Sequence, residues 1–372
     1  MPTRQAFVTY GVTTAAAATV TVAALLQPWR SPGPGAQPPV AVAAARHAVD
    51  VVFAVDTTGS MGGLIEGAKR TVWSIATHIR QTEPDADLRI GLVAYRDIGD
   101  AYVTRDLALT GDLDAVFAEL AGFQADGGGD EPEDVAAALY DALHMRWRDD
   151  ARKLVFLVGD APPADRGDVP RFDVLAREAG QRQIVLNTIR CGVSGDTARA
   201  WQQIADLGHG QFSTIEQGGG VQQIATPYDK RLAELSARID STAVIVGDDA
   251  QRAEYQRNLA VNAAAPAAAQ ADRAAYYATG SAAGGARTEN DLVGTGKLRA
   301  GKVAKGALPP ELRGLNAEQL QAEVDHRAQL RRDAETEMTR LNHQRDDYMR
   351  ANAKGEAGFD AKVKAAIDAQ LK

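Results

Sequence analysis

From residue 48 onward the chain alternates between two hydrophobic periods. Apolar runs at 50–55, 88–95, 103–109, 153–158, 184–191 and 211–215 have the length and the flanking turn residues of strands. Between them apolar residues recur at three-to-four spacing. Leu64, Ala68, Val72, Ile75 and Ile79 form one stripe, Val135, Leu139 and Leu143 a second, and Val221, Ile224, Tyr228, Leu232, Leu235 and Ile239 a third. Such spacing puts each set on one helix face, where core packing is expected rather than a ligand surface. Strands alternating with helices predict an α/β domain over 48–247: a doubly wound, mostly parallel six-stranded sheet of Rossmann-like type with helices on both faces.

The pattern changes after residue 247. Ala and Gly dominate 260–287, so 248–307 is expected to be a linker that is at most partly helical. A helical C-terminal region over 308–372 follows Leu308, Pro309 and Pro310. Leu320, Val324, Met338, Leu341 and Tyr348 predict one long helix across 316–352, and Phe359, Val363, Ile367 and Leu371, four apart, predict a shorter one. Interspersed acids and bases give both the look of solvated helices that pack on each other or on the α/β domain.

At the other end, residues 6–26 carry no charge and are about long enough to span a bilayer. Arg4 precedes them, and Trp29, suited to an interface, and Arg30 follow. Residues 1–30 are therefore expected to be a signal peptide or a signal anchor, with the anchor preferred. A Pro/Gly/Ala-rich linker over 31–47 sets that segment apart from any core. The chain is expected outside the cytoplasm, in the periplasm or cell envelope, held to the cytoplasmic membrane by 6–26 if the segment is retained.

Composition narrows the function. With 372 residues, 45% of them hydrophobic, a full-sized core is available. A formal charge of −8 and the lack of a basic stripe argue against nucleic acid as a partner. A single cysteine, Cys191, rules out an internal disulfide or a thiolate zinc cluster, and its place at the end of an apolar run suits a small buried filler.

The chemistry is concentrated at three strand ends. Asp56, Thr58 and Ser60 alternate just past the first apolar run, and side chains two apart on extended chain point the same way. Their oxygens can converge on one hard cation such as Mg2+, Mn2+ or Ca2+. Gly127, Gly128 and Gly129 lead into Asp130, Glu131, Pro132, Glu133 and Asp134, and Gly159 and Asp160 end another strand. In an open α/β sheet such groups gather beyond the carboxyl ends of the strands. Glu133 and Asp134 are expected to be first-turn acids favoured by a helix dipole. Arg96 and Asp97 are expected either to pair at the rim or to shape the site, and His144 and His209 to be structural.

These three loops, in this order, resemble a von Willebrand factor type A (VWA) domain. Tyr95, Arg96 and Asp97, the run 201–205, Gly208 to Phe212 and the run 225–229 resemble the bacterial extracytoplasmic members of that family, over roughly 48–247. The resemblance implies a metal-ion-dependent adhesion site in which Thr58 and Ser60 hold a divalent cation directly, with Asp56 and Asp160 acting mainly through water or hydrogen bonds. The family's second-loop threonine has no counterpart here; Asp130 is the best substitute and Glu131 the next. A carboxylate at that position would weaken the cation's pull on an acidic partner.

The expected function is thus a non-enzymatic, metal-dependent protein-binding module, for adhesion or scaffolding, displayed outside the cytoplasmic membrane. One alternative is a magnesium-dependent hydrolase of haloacid-dehalogenase type, but Thr58 stands where that chemistry needs an acid two residues after its nucleophile. Another is a structural envelope scaffold that assembles through the C-terminal helices.

Overall fold

The central strand β1 (Ala48–Asp56) is buried along its whole length. It pairs in parallel with β2 (Asp87–Tyr95) on one side and, beyond the intervening antiparallel edge strand β3 (Thr104–Thr110) in sequence, with β4 (Arg152–Gly159) on the other. A strand covered on both faces needs a nearly continuous apolar run, which its sequence has. With β5 (Ile184–Cys191) and β6 (His209–Ile215) the sheet has the order β3-β2-β1-β4-β5-β6, and only β3 runs antiparallel. The connection over 96–103 is too short for a crossover helix, so β3 returns beside β2. Its exposed Arg105 and Asp106 guard that edge against further pairing.

The computed structural model describes residues 47–371 except 85, 130–131, 166–167, 222–223, 280–286, 295–297 and 353–357. The expected signal segment, and all of the linker after it but His47, lie outside the described residues. Among the described residues no helix is long and apolar enough to cross a membrane.

In chain order the helices are α1 (Gly62–Thr82), α2 (Leu113–Ala121), α3 (Val135–His144), α4 (Phe172–Gln181), α5 (Gly195–Leu207), α6 (Asp229–Asp240), α7 (Asp249–Ala264), α8 (Ala267–Thr279), α9 (Ala317–Asn352) and α10 (Phe359–Gln370). Alternation along β1 divides the core. Val49, Val51, Phe53 and Val55 pack with α1, α2 and α10, whereas Val52 and Ala54 pack with α3, α4 and α5. All five residues of the α1 stripe and all three of the α3 stripe are buried. The third stripe is shorter than its spacing predicts. The helix starts only at Asp229, whose carboxylate accepts from the Thr226 amide and hydroxyl (2.8 and 2.7 Å), so Val221 and Ile224 belong to the loop before it.

The region expected as a linker holds two packed helices. Asp248 and Gln251 form a reciprocal capping box that starts α7. Alanines 268, 269, 271 and 274 let α8 approach its neighbours closely, and Tyr276 and Tyr277 pack on Trp73 at 5.5 and 6.0 Å between ring centres. Alanine-rich composition signalled flexibility, but here it serves as close-contact surface. The C-terminal helices fall where expected. Phe359, Val363, Ile367 and Leu371 are buried against α1 and the sheet, with Phe359 6.2 Å from Phe53. On α9, Leu320, Val324, Met338 and Leu341 are buried while Tyr348 is exposed.

Buried arginines hold this helical layer to the α/β domain. Arg273 of α8 bonds both Asp114 carboxylate oxygens (2.5 and 2.7 Å) and both of Asp240 (2.7 and 3.1 Å). Arg287 lies 3.0 Å from Asp240, Arg331 of α9 pairs with Asp291 at 2.8 Å, and Arg345 with Asp229 at 2.8 Å and Asp272 at 2.7 Å. Burial alone would raise the Asp240 pKa, but Arg273 and Arg287 outweigh it and hold the carboxyl below its ordinary range. Removing one member leaves a buried charge unmatched. Arg273→Ala is expected to cost about 3–5 kcal/mol, whereas Arg231→Ala, which breaks the exposed pair with Glu337, is expected to change stability little. Equilibrium urea unfolding of the two variants checks the contrast.

Candidate metal centre

The sheet order reverses direction between β1 and β4, and the loops leaving these two strands diverge there to form a crevice. A cleft of about 450 Å³ opens at that edge, lined by Thr58, Gly59, Ser60, Gly127, Gly128, Gly129, Glu133, Asp160 and Ala161. Three of the six site residues expected from sequence, Thr58, Ser60 and Asp160, thus line one cavity. Asp56 lies buried beneath it. Asp130 and Glu131 lie outside the described residues.

Local chain geometry explains the convergence. Asp56 ends β1, and its Oδ1 accepts from the Thr58 amide at 2.8 Å and the Thr58 hydroxyl at 2.6 Å. This turn ends the strand and brings Thr58 Oγ1 within 3.5 Å of Ser60 Oγ. The Gly59 amide donates to the Gly127 carbonyl at 3.3 Å, so the first loop and the glycine loop are in direct contact. Gly127 and Gly128 adopt φ of 78° and 80°, conformations that favour glycine. A Cβ at Gly128 would lie 3.1 Å from Thr58 Cβ and 3.5 Å from Glu133 Oε1, filling the space between them. In the third loop the Gln217 amide nitrogen donates to Asp160 Oδ2, and the Thr197 hydroxyl donates to the Asp160 carbonyl at 3.0 Å.

Arg96 has a shaping role rather than that of a simple rim pair. Its side chain is buried and donates to the Thr57 carbonyl (3.2 Å) and the Gln124 carbonyl (2.8 Å), tying the β1 tip to the start of the glycine loop. Tyr102 lies 4.5 Å from the guanidinium and bonds the Thr57 hydroxyl at 2.7 Å. Cys191 is buried, as expected of a filler.

Glu133 departs from its expected role. Asp134 is the residue that caps α3, accepting from the Ala137 amide at 2.8 Å. Glu133, one position earlier, is turned into the cleft. The only hint in the sequence was its place between the glycine loop and a capping aspartate.

The donor set suits a hard cation. Asp56 Oδ2 and Glu133 Oε2 are both buried without a hydrogen-bond partner, although buried polar groups are almost always satisfied. Burial pushes the Asp56 pKa up to about 7 against the pull of its Thr58 bonds, with Asp160 adding repulsion. Glu133 is pushed up to about 8 by burial and then by Asp56, Asp97, Asp100 and Asp160. Hydroxyls and carboxylates around a small polar cleft are the ligand types of Mg2+, Mn2+ and Ca2+. Among the described residues no three His, Cys, Asp or Glu side chains group as a metal cluster, so hydroxyl oxygens would have to share the work.

A family model described as von Willebrand factor A domain matches residues 50–226. The chain carries a von Willebrand factor A domain. It is similar to the alpha-protein kinase vwkA of Dictyostelium discoideum, at 30% identity over 32% of this chain and 19% of that protein. It is also similar to von Willebrand factor A domain-containing protein 7 of Mus musculus, at 32% identity over 50% of this chain and 20% of that one. The chain thus spans no more than a fifth of these curated relatives' lengths. Among solved structures it is similar to the SpRpn10 VWA domain (TM-score 0.34, 16% identity, 45% of this chain and 88% of that one). An aerotolerance-related membrane protein from Bacteroides fragilis is similar at TM-score 0.33 and 16% identity, over 46% of this chain and 92% of that one. VWA domains are in general non-enzymatic interaction modules.

A raised Asp56 pKa means that the neutral carboxyl favours the folded state. The stability it contributes is complete below its unfolded pKa of about 4 and is lost as pH rises through about 7. In chelator, Asp56→Asn is therefore expected to melt several degrees above the unmodified protein at about pH 8, with the gain shrinking toward about pH 4. Thermal melts across that range check the trend.

Proposed function

We propose that this VWA domain is a non-enzymatic module that binds a protein partner through a divalent cation, most simply Mg2+. The unpartnered Asp56 Oδ2 beneath a cleft lined by Thr58, Ser60 and Asp160 carries the reading. Burial of a carboxylate without a partner costs several kcal/mol, and a cation at the strand edge would offset that cost. Thr58 and Ser60 would hold the ion through their hydroxyls. Asp56 and Asp160 would act through water or by orienting those hydroxyls, as the bond from Thr58 to Asp56 does now. A carboxylate from the second loop would stand in place of the usual threonine.

The remaining coordination position would face the open cleft and take an oxygen from the partner. Carboxylates in the site offset the cation's charge, so the partner group would be a neutral oxygen donor or a weakly held acid. Display outside the cytoplasmic membrane is part of the proposal and rests on the uncharged 6–26 segment. A hydrolase role has little support: Thr58, two residues after Asp56, is a hydroxyl committed to Asp56, leaving that position without a proton donor.

Two measurements test the proposal. Calorimetric titration of the chain with Mg2+ and Mn2+ is expected to show one site, lost in Asp56→Ala; no heat from the unmodified chain contradicts cation binding. Pull-down from envelope extract is expected to retain a partner in Mg2+ and release it in chelator, and retention in chelator contradicts a metal-bridged contact.

A further inference from the structure

We infer that Glu133, rather than Asp130 or Glu131, supplies the second-loop ligand of the cation site. The inference rests on the cation-site reading above and adds to it the residue that completes the shell.

Four observations carry it. First, Glu133 is buried to 3% exposure, and its Oε2 has no hydrogen-bond partner, yet the residue lines the cleft. Second, its backbone is clamped. The Glu133 amide donates to the Pro162 carbonyl at 3.1 Å, and its carbonyl accepts from the Ala164 amide at 2.8 Å, in a parallel bridge to Pro163. The second loop is thereby fixed to the segment that follows Asp160, so the carboxylate is delivered from a rigid point. Third, Glu133 Oε1 and Thr58 Cβ flank the same small volume, kept open by the absence of a side chain at Gly128. Fourth, the cation that could offset this carboxylate is not provided by the nearby arginine: Arg96 spends its guanidinium on the Thr57 and Gln124 carbonyls, with Asp126 at 3.8 Å.

A chain that merely needed an acid at the start of α3 already has one in Asp134, whose Oδ1 caps the helix. Capping gives no reason to bury a second carboxylate behind the first, and desolvating it without a counter-charge is costly. A divalent ion between Glu133, Thr58 and Ser60 removes the cost. Glutamate is one methylene longer than aspartate, so its carboxylate can reach the position that a threonine hydroxyl on the glycine loop would otherwise fill.

Glu133→Gln keeps the shape and removes the charge. Mn2+ titration of the full chain, read by calorimetry and by the Mn2+-induced rise in melting temperature, is expected to show at least a roughly tenfold loss of affinity in this variant. Its metal-free melting temperature should stay at or above that of the unmodified chain, which separates lost ligation from lost folding. Asp165→Asn removes an equal charge from an exposed position near the third loop and should change affinity little. A loss in Glu133→Gln no greater than in Asp165→Asn would make Glu133 only a distant charge and overturn the inference while leaving the cation site standing. No Mn2+ or Mg2+ binding by the unmodified chain would overturn both.

Discussion

Buried carboxyl oxygens without a partner at the tip of β1 are the constraint around which the carboxyl edge of this molecule is organised. Asp56 stands where a fully buried central strand runs out, and only one of its carboxylate oxygens is satisfied by the chain, through Thr58. The neighbouring loops add acid rather than base: Asp160 follows β4, and Glu133 turns inward from the end of the glycine loop. An isolated protein avoids such an arrangement unless something outside the polypeptide compensates it. The proposed divalent cation would meet that need with the ligand types at hand, and it would tie the peculiarities of three separate loops to one cause.

The sheet makes this possible because its order reverses between β1 and β4. Side chains leaving these two strands face a crevice that no crossover covers, so groups far apart in sequence meet without strain on the core. Rigidity comes from unglamorous contacts: Arg96 fastening the β1 tip to the glycine loop, the Glu133 bridge fastening that loop to Pro163, and Gln217 reaching Asp160 from the segment after β6. On the layer that carries α1, the C-terminal helix α10 closes the core with Phe359, Val363 and Ile367, while α8 and α9 are held by buried arginine pairs. The helical extension is therefore part of the body that carries the site.

Much of this was legible in the sequence where one physical signal dominated. Buried parallel strands read as apolar runs, and the α1 and α3 stripes were each buried in full. Asp56, Thr58 and Ser60 followed from two-residue alternation, and Asp160 from its place at a strand end. Composition misled in 248–307, because alanine is the residue both of pliable linkers and of helices that pack closely; only the tertiary partners of Tyr276 and Tyr277 decide between them. Arg331 and Arg345 looked like the solvated face of a surface helix, and Arg273 lay in the expected linker, since a charge pattern cannot reveal which charges have a buried partner. Glu133 and Asp134 looked alike as first-turn acids, and the difference between them is a matter of backbone direction that two adjacent letters do not carry.

The most direct test of the central claim is to locate the ion. A crystal of the chain soaked in Mn2+ and measured at the manganese absorption edge should give one strong anomalous peak in the cleft, within bonding distance of Thr58 Oγ1, Ser60 Oγ and a Glu133 carboxylate oxygen, with Asp56 Oδ2 facing it directly or through water. No peak there at saturating Mn2+, with Asp56 and Glu133 still unpartnered, would show that the buried charge has another explanation and would contradict the account.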